Sequence, residues 1–441
     1  MKLQPVALSA TEMETISSNH SLSSYLNGME KGRAKTPHSW LYENRSSDAT
    51  LHEWETILLQ LHSDDEVSEL VYQFDIQQVD KFGPQGEVPP VSEGLHVLED
   101  TYTSLDTDNF DASAICSQEQ LNKITSFSRL LLGNLRPHSL RPRSFEKVTD
   151  DMRERDTLET NSGWPLFTRR NKAEVIRASI QDARTGKAYE YPAILLFRSY
   201  NGKLRPVWMY PMSMNLIEGS FTQVIMDVMR KSNLLPSLVS HYLAPWEGFE
   251  DVKRQFTTMW TKAPVVGGDT TKMDAHFRQA QMAVVFEILK NLFAENYWEE
   301  LRRCMKHVNT IDVVVSQSHK LSGAHGIASG SGWTQLSETL FQMFMFYCIS
   351  DVEQISGMGI GDDFVWFTKP QMTADQLAGY LEKYNLPANP KKQSVSESSC
   401  TFLQRLFIKG YYSREESRVL GGVYPSIRAL NSLLNPEKFH D

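Results

Sequence analysis

The run Ile360-Gly-Asp-Asp-Phe-Val-Trp-Phe367 sets two adjacent carboxylates, Asp362 and Asp363, inside an otherwise apolar stretch. Acidic residues are poor strand formers, so the pair is hard to explain by folding alone and predicts a hairpin tip that presents negative charge. Two carboxylates held ~4 Å apart at an effective dielectric of ~20 repel by roughly 4 kcal/mol, which favours a bound cation or a shared proton. A divalent metal is the simplest partner. Successive strand side chains point to opposite faces, so the two acids are not expected to be equal ligands, and Asp362 is expected to be the stronger.

At 441 residues, 41% of them hydrophobic, the chain can bury one large core or two to three domains. No apolar stretch approaches the ~20 residues of a membrane span, and Met-Lys-Leu-Gln-Pro lacks the apolar core of a signal peptide. A soluble, intracellular protein is expected. Cys116, Cys304, Cys348 and Cys400 are scattered without a metal-ligand spacing, which fits a reducing compartment and core thiols. The net charge of -9 argues at first against a nucleic-acid partner. Its distribution matters more: between Asp64 and Asp111 the only cation is Lys81, whereas Arg136, Arg141, Arg143, Arg169, Arg170, Lys172 and Arg177 fall close together. An acidic exterior with a basic channel fits that pattern, and so does a solvated basic surface.

The first ~125 residues are polar and acidic, with Gly83, Pro84, Gly86, Pro89, Pro90 and Gly94 predicting loops or a linker around 83–94. Beyond them, Ile194–Arg198 and Arg205–Tyr210 flank Asn201-Gly202, a pair that tight hairpins prefer. Ala263–Gly268 predicts a buried strand delivering Asp269 directly to a helix with Met282, Val285, Phe286, Leu289 and Leu292 on one face. A Ser329-Gly-Ser-Gly332 loop leads into a second stripe, Trp333, Leu336, Leu340, Met343, Phe344 and Tyr347. Thr373-Ala-Asp-Gln376 is a capping box opening a helix that stops before Pro387. This alternation implies α/β or α+β.

Asp269-Thr-Thr-Lys-Met-Asp274 places one carboxylate at a strand end, and Asp362 lies far downstream at a hairpin tip. If the two strands are neighbours, these acids converge. Two carboxylates plus substrate phosphates are the usual ligands of Mg²⁺, and a pair of such ions can activate an attacking hydroxyl and stabilise a leaving pyrophosphate. Taken singly, Gly-Asp-Asp is an ordinary turn, Ser-Gly-Ser-Gly an ordinary loop and an aspartate at a helix start an ordinary cap. The ordered set carries the inference.

From about Asn161 to Arg405 the chain resembles the core of a viral RNA-dependent RNA polymerase, most similar to those of the double-stranded RNA picobirnaviruses and partitiviruses. Asp269–Asp274 resembles motif A, Ser329–Glu338 motif B, Gly361–Asp363 motif C, Asn389–Lys392 motif D and Phe402–Arg405 motif E. Upstream, Asn161–Pro165 is similar to the template-side motif of the fingers, and Lys203-Leu-Arg205 with Val207-Trp208 to the basic fingers motif.

The resemblance implies an α+β right-hand polymerase fold: an N-terminal extension over 1–125, fingers over 126–262, a palm over 263–405 with a fingers contribution near 298–325, and a short thumb over 406–441. It implies that Asp269, Asp362 and Asp363 hold two Mg²⁺ or Mn²⁺ ions. Asp274 with Glu338 would recognise the ribose 2′-hydroxyl, since a carboxylate accepts that hydrogen bond. Many positive-strand polymerases carry asparagine where Glu338 stands; double-stranded RNA relatives often carry an acid. Ser329, Gly330 and Thr334 would line the nucleotide and template site, and Lys203 and Arg205 would grip the triphosphate. Lys392, rather than its neighbour Lys391, would protonate the leaving pyrophosphate. The expected partners are RNA template, nascent RNA and ribonucleoside triphosphates, with a capsid protein allowed and no membrane, in the host cytoplasm or the virion. Only 36 residues follow Arg405. That is short for a thumb, and it leaves a reduced thumb, an N-terminal segment replacing part of it, or an incomplete sequence. The rival functions are a reverse transcriptase, which would usually show an aromatic gate near Asp274, and a non-catalytic RNA-binding protein of the particle.

Overall fold

Strands form where apolar and β-branched residues cluster. In chain order they are β1 (Val6–Ala7), β2 (Ala193–Tyr200), β3 (Lys203–Met209), β4 (Val265–Gly268), β5 (Val313–Val314), β6 (His319–Leu321), β7 (Glu353–Ile360), β8 (Asp363–Lys369), β9 (Ser399–Phe402) and β10 (Arg405–Ile408). The computed structural model describes residues 3–39, 46–230 and 241–438. Residues 231–240 of the expected fingers and 439–441 of the expected thumb therefore lie outside the described residues. The strands form a five-stranded sheet β1-β6-β5-β2-β3, a three-stranded sheet β4-β8-β7 and the pair β10-β9, with helices packed around them. The architecture is α+β.

The predicted Asn201-Gly202 hairpin joins β2 to β3, and both turn residues take positive φ, 51° and 67°, as a tight turn matching the strand twist requires. β5 pairs in parallel with β2 and antiparallel with β6, so residues 313–321 belong to the same sheet as that hairpin. β1 pairs with β6 at the sheet edge, Val6 opposite Lys320.

β8 is the middle strand of the smaller sheet, and both of its faces are buried, which is why it reads as a continuous apolar run. Phe364 and Trp366 enter the main core with the helix Thr334–Cys348, whereas Val365 and Phe367 enter a second core where Phe256 stacks on Phe407 at 4.1 Å. The period of two follows from the pleat. Each of these four side chains contributes roughly 2 kcal/mol by burial, so the register that leaves Asp362 at the tip is strongly held.

One expectation changes and another is narrowed. β4 does not feed the long helix Gln279–Lys290 directly; a loop with Lys272 at φ 51° and a one-turn helix, Met273–His276, come between them and carry Asp274. The apolar spacing begins only with the longer helix, and periodicity cannot register a single turn. For 83–94, expected as loops or a linker, the structure takes the first alternative over most of the stretch and excludes a free linker. Gly86 N donates to Ser199 O at 2.8 Å, Arg33 and Val88 exchange backbone hydrogen bonds of 2.7 and 2.9 Å, and the stretch includes the short helix Val91–Gly94. Its glycines and prolines are ordered by partners distant in sequence, which a local reading misses.

The N-terminal segment also meets the C-terminal one. The helices Ser47–Leu61 and Glu66–Ile76 pack against the helix Ser426–Leu434, and Trp54 Nε1 donates to Ser426 Oγ at 2.7 Å.

Candidate active site

The site is assembled at one end of the β4-β8-β7 sheet. Gly268 pairs with Phe364 and Ile360 with Asp363, so Asp269, one step beyond β4, lies level with the turn that carries Asp362. Gly268 is required by this approach: a Cβ there would fall 2.0 Å from the Phe364 ring. The Asp269 peptide is held on both sides by Gln393, whose Oε1 accepts from Asp269 N at 3.0 Å and whose Nε2 donates to Asp269 O at 2.8 Å. The same segment brings Lys392 Nζ to 3.9 Å from Asp269 Oδ2. Lys391 remains exposed.

The Gly361-Asp362 turn is clamped by the helix Thr334–Cys348. Gly361 N donates to Thr339 Oγ1 at 2.9 Å, and Gln342 Nε2 donates to Gly361 O. Tyr242 orients Gln342 by donating to its Oε1 at 2.7 Å. Asp362 opens to solvent at the turn, and Asp363 turns aside, its Oδ2 accepting from Leu403 N at 2.9 Å.

Desolvation by the surrounding protein dominates the electrostatics, although Asp362 and Asp274 each keep part of their surface open to solvent. It raises the Asp362 pKa, with the Asp269 charge adding and Arg205 opposing. It pushes Asp363 up to about 7 against the Leu403 hydrogen bond, helped by Asp362 and Asp269. Asp274 rises to about 6, mainly by burial and then through Asp362, with Arg205 and a hydrogen bond to Glu338 holding it down. Glu338, wholly buried beside these acids, is raised well above the carboxylate range by burial, Asp274 and Asp362. Repulsion among acids of this kind is relieved by a cation or by protonation.

The structure thus brings together Asp269, Asp362, Asp363, Asp274, Glu338, Arg205 and Lys392. Of the two basic fingers residues, Arg205 is the one whose charge reaches Asp274 and Asp362; Lys203 is exposed at the first position of β3. Ser329 Oγ accepts from Trp208 N at 3.3 Å, and Thr334 spends its hydroxyl within the loop, donating to Ala328 O at 2.6 Å. Sequence reasoning missed Thr339, Gln342 and Gln393. The first two had a signal, since polar residues within the apolar helix after Trp333 are as unexpected as the aspartate pair in β8.

A family model of viral RNA-dependent RNA polymerase matches residues 200–420. A potential RNA-dependent RNA polymerase of Human picobirnavirus is 27% identical over 96% of this chain and 78% of its own. The crystal structure of the RNA-dependent RNA polymerase of a human picobirnavirus superposes with a TM-score of 0.81 at 22% identity, covering 99% of this chain and 83% of that one. An insertion-loop deletion mutant of such a polymerase gives a TM-score of 0.81 at 21% identity over 99% and 86% of the two chains. The fold is therefore the right-hand polymerase fold. With half of its length matched by the family model, the assembled acids included, the chain belongs to the viral RNA-dependent RNA polymerases.

Proposed function

We propose that this polymerase adds ribonucleotides to an RNA 3′ end by a two-metal mechanism, in replication and transcription of a viral genome. The observation that carries the proposal is the convergence of Asp269 and Asp362 from two paired strands, flanked by Arg205 and Lys392. Among the described residues no three acid, histidine or cysteine side chains enclose an ion by themselves. Two carboxylates, Asp269 and Asp362, suit Mg²⁺ or Mn²⁺, which bind through one or two carboxylates and complete their shells with substrate phosphates and water. Asp269 and Asp362 would hold the two ions, with Asp363 supporting the turn; once bound, the ions activate the attacking hydroxyl and stabilise the leaving pyrophosphate.

The remaining roles belong to the chain's own groups. Arg205, with a planar fork of donors, binds the triphosphate, and Lys203 adds charge along its approach. Asp274 accepts the 2′-hydroxyl hydrogen bond, seconded by Glu338. Ser329, Gly330 and Thr334 shape the surface that meets template and nucleotide. Lys392 gives a proton to pyrophosphate. In this reading residues 1–125 are an extension, 126–262 fingers, 263–405 palm with 298–325 returning to the fingers, and 406–441 a short thumb; the pairing of β5 with β2 supports the return. Among the described residues no helix is long and apolar enough to cross a membrane. The working location proposed is the host cytoplasm or the virion, beside a capsid protein.

Primer extension with labelled ribonucleotides, with and without EDTA, is the test. Asp269→Ala and Asp362→Ala should each abolish incorporation while leaving folding intact. Near-normal extension by either variant would reject the site.

A further inference from the structure

The loop in front of the helix Thr334–Cys348 is gripped from two sides. On one side Ser329 Oγ accepts from Trp208 N, and Gly330 lies so close to β3 that a Cβ would fall 1.7 Å from Trp208 O. On the other runs the helix Met212–Arg230, which brings up Glu218, wholly buried. Glu218 accepts from Ser331 Oγ at 2.5 Å and from Gly332 N at 2.7 Å. One turn earlier, Asn215 Nδ2 donates to Glu218 Oε2 at 3.2 Å and to Gly330 O at 3.3 Å. Asn215 Oδ1 in turn accepts from Arg170 Nη2 at 3.0 Å, and Arg170 Nε donates to Asn161 O at 2.9 Å.

A polar chain therefore runs through the interior from the Asn161 segment to the 330–332 loop. A buried carboxyl is costly, and packing alone would be better served by an apolar side chain. Its three donors explain its presence. Replacing Glu218 with an apolar residue would strand the Gly332 amide and the Ser331 hydroxyl in the interior. With Trp208 blocking movement toward β3, the carboxyl sets how far the loop sits from the strand.

We propose that Glu218, together with Asn215 and Arg170, is a positioning unit that fixes the 329–332 loop for nucleotide and template and couples it to the Asn161–Pro165 segment. None of the three touches the carboxylates that would hold the metals; they act through the loop. The inference rests on the reading that Ser329 and Gly330 face the nucleotide and template.

The test combines kinetics with amide hydrogen exchange on the full chain. Glu218→Ala and Asn215→Ala should each raise the KM for the templated nucleotide about tenfold, with kcat within about threefold of wild type, because a loop displaced by a fraction of an ångström misplaces what it holds. Glu218→Gln should stay within about threefold of wild type: its oxygen still accepts from Gly332 N and Asn215, and its amide faces Ser331 Oγ. Amides of 329–333 should exchange at least about tenfold faster in the two alanine variants, and those of 161–165 should accelerate with them. A stability effect alone would lower active-enzyme concentration and leave KM and local exchange as they were. Unchanged KM and unchanged exchange in folded Glu218→Ala and Asn215→Ala overturn the proposal, and Asn215→Ala decides by itself if Glu218→Ala does not fold. Asp362→Ala, run alongside, separates the two failures. If it still extends primers the site reading fails, whereas exchange in the loop still reports on the positioning unit.

Discussion

Lys392 Nζ stands 3.9 Å from Asp269 Oδ2, on a segment stitched to the same strand end, with Gly267 and Ser394 exchanging backbone hydrogen bonds of 2.8 and 2.9 Å. The pair is open to solvent on both sides, so it adds little to stability. In the proposed mechanism its value is positional: Asp269 would carry an ion, and the ammonium would stand where a phosphate leaving group departs. Lys392→Ala should lower kcat about a hundredfold, in the range of a lost general acid, and Lys391→Ala should change it less than about twofold. Pre-steady-state incorporation measures both. Equal losses in the two variants would show that bulk charge, and not a placed proton donor, is what matters.

Glu338 is buried beside Asp274, and burial together with the neighbouring Asp274 and Asp362 charges raises its pKa well above the ordinary carboxylate value. In its protonated form a carboxyl presents one donor and one acceptor, as a primary amide does. Glu338→Gln should therefore retain activity within about threefold, while Asp274→Ala should reduce the preference for ribonucleotides over deoxyribonucleotides by about a hundredfold or more. Competition between the two nucleotide types on one template reads the ratio. Unchanged selectivity in Asp274→Ala would remove that residue from ribose recognition.

Local signals made the hairpins, the capping box at Thr373 and the two long helices behind Asp269 and Ser329 legible in the sequence, because turn residues and apolar spacing report directly on backbone geometry. The candidate acids were legible as well, since a charge inside an apolar run is costly unless a cation or a proton offsets it. What holds those acids was not. Gln393 reaches Asp269, and Gln342 reaches Gly361, through contacts between segments that no short-range pattern links. Glu218 lies in a helix whose face is buried almost throughout, so nothing in its spacing marks it. The glycines and prolines of 83–94 signal loops locally, while the partners that order those loops, Ser199 among them, are remote in sequence.

Burial lifts the Glu218 carboxyl from the ordinary value of 4.5 to about 7, against the hydrogen bonds from Ser331, Gly332 and Asn215. Below pH 4.5 the group is protonated in both folded and unfolded chains and exerts no pH effect. Between 4.5 and 7 the unfolded chain ionises first, so the folded state loses stability as pH rises, and above 7 the loss is complete. The full effect is on the order of 3 kcal/mol. Chemical denaturation at pH 5 and pH 8 should show wild type losing stability relative to Glu218→Gln across that interval, with little further change above pH 8. A difference between the two proteins that does not vary with pH would mean that the carboxyl titrates normally.

Asp75 closes the structure at the opposite end of the chain. It sits at the last turn of the helix Glu66–Ile76, is buried, and caps the start of the helix Ser426–Leu434 from outside. Its Oδ2 accepts from Ser426 N at 2.9 Å and from the Ser426 hydroxyl, and its Oδ1 accepts from Ile427 N at 2.8 Å. Pro425, at the capping position, makes no side-chain cap of its own, so the orphan amides depend on Asp75. A carboxylate at a helix N-terminus also meets the positive end of the helix dipole. Loss of these charge-assisted bonds in Asp75→Ala should weaken docking of the C-terminal helix by about 2–3 kcal/mol, and Asp75→Asn, which keeps one acceptor oxygen, should lose about half as much. If cleavage proceeds through local opening, limited proteolysis between 426 and 438 should accelerate roughly 30- to 160-fold in Asp75→Ala, with cleavage elsewhere unchanged. Cleavage at the wild-type rate would show that the helix is held by its apolar face, through Ile427 and Leu434, and not by the Asp75 cap.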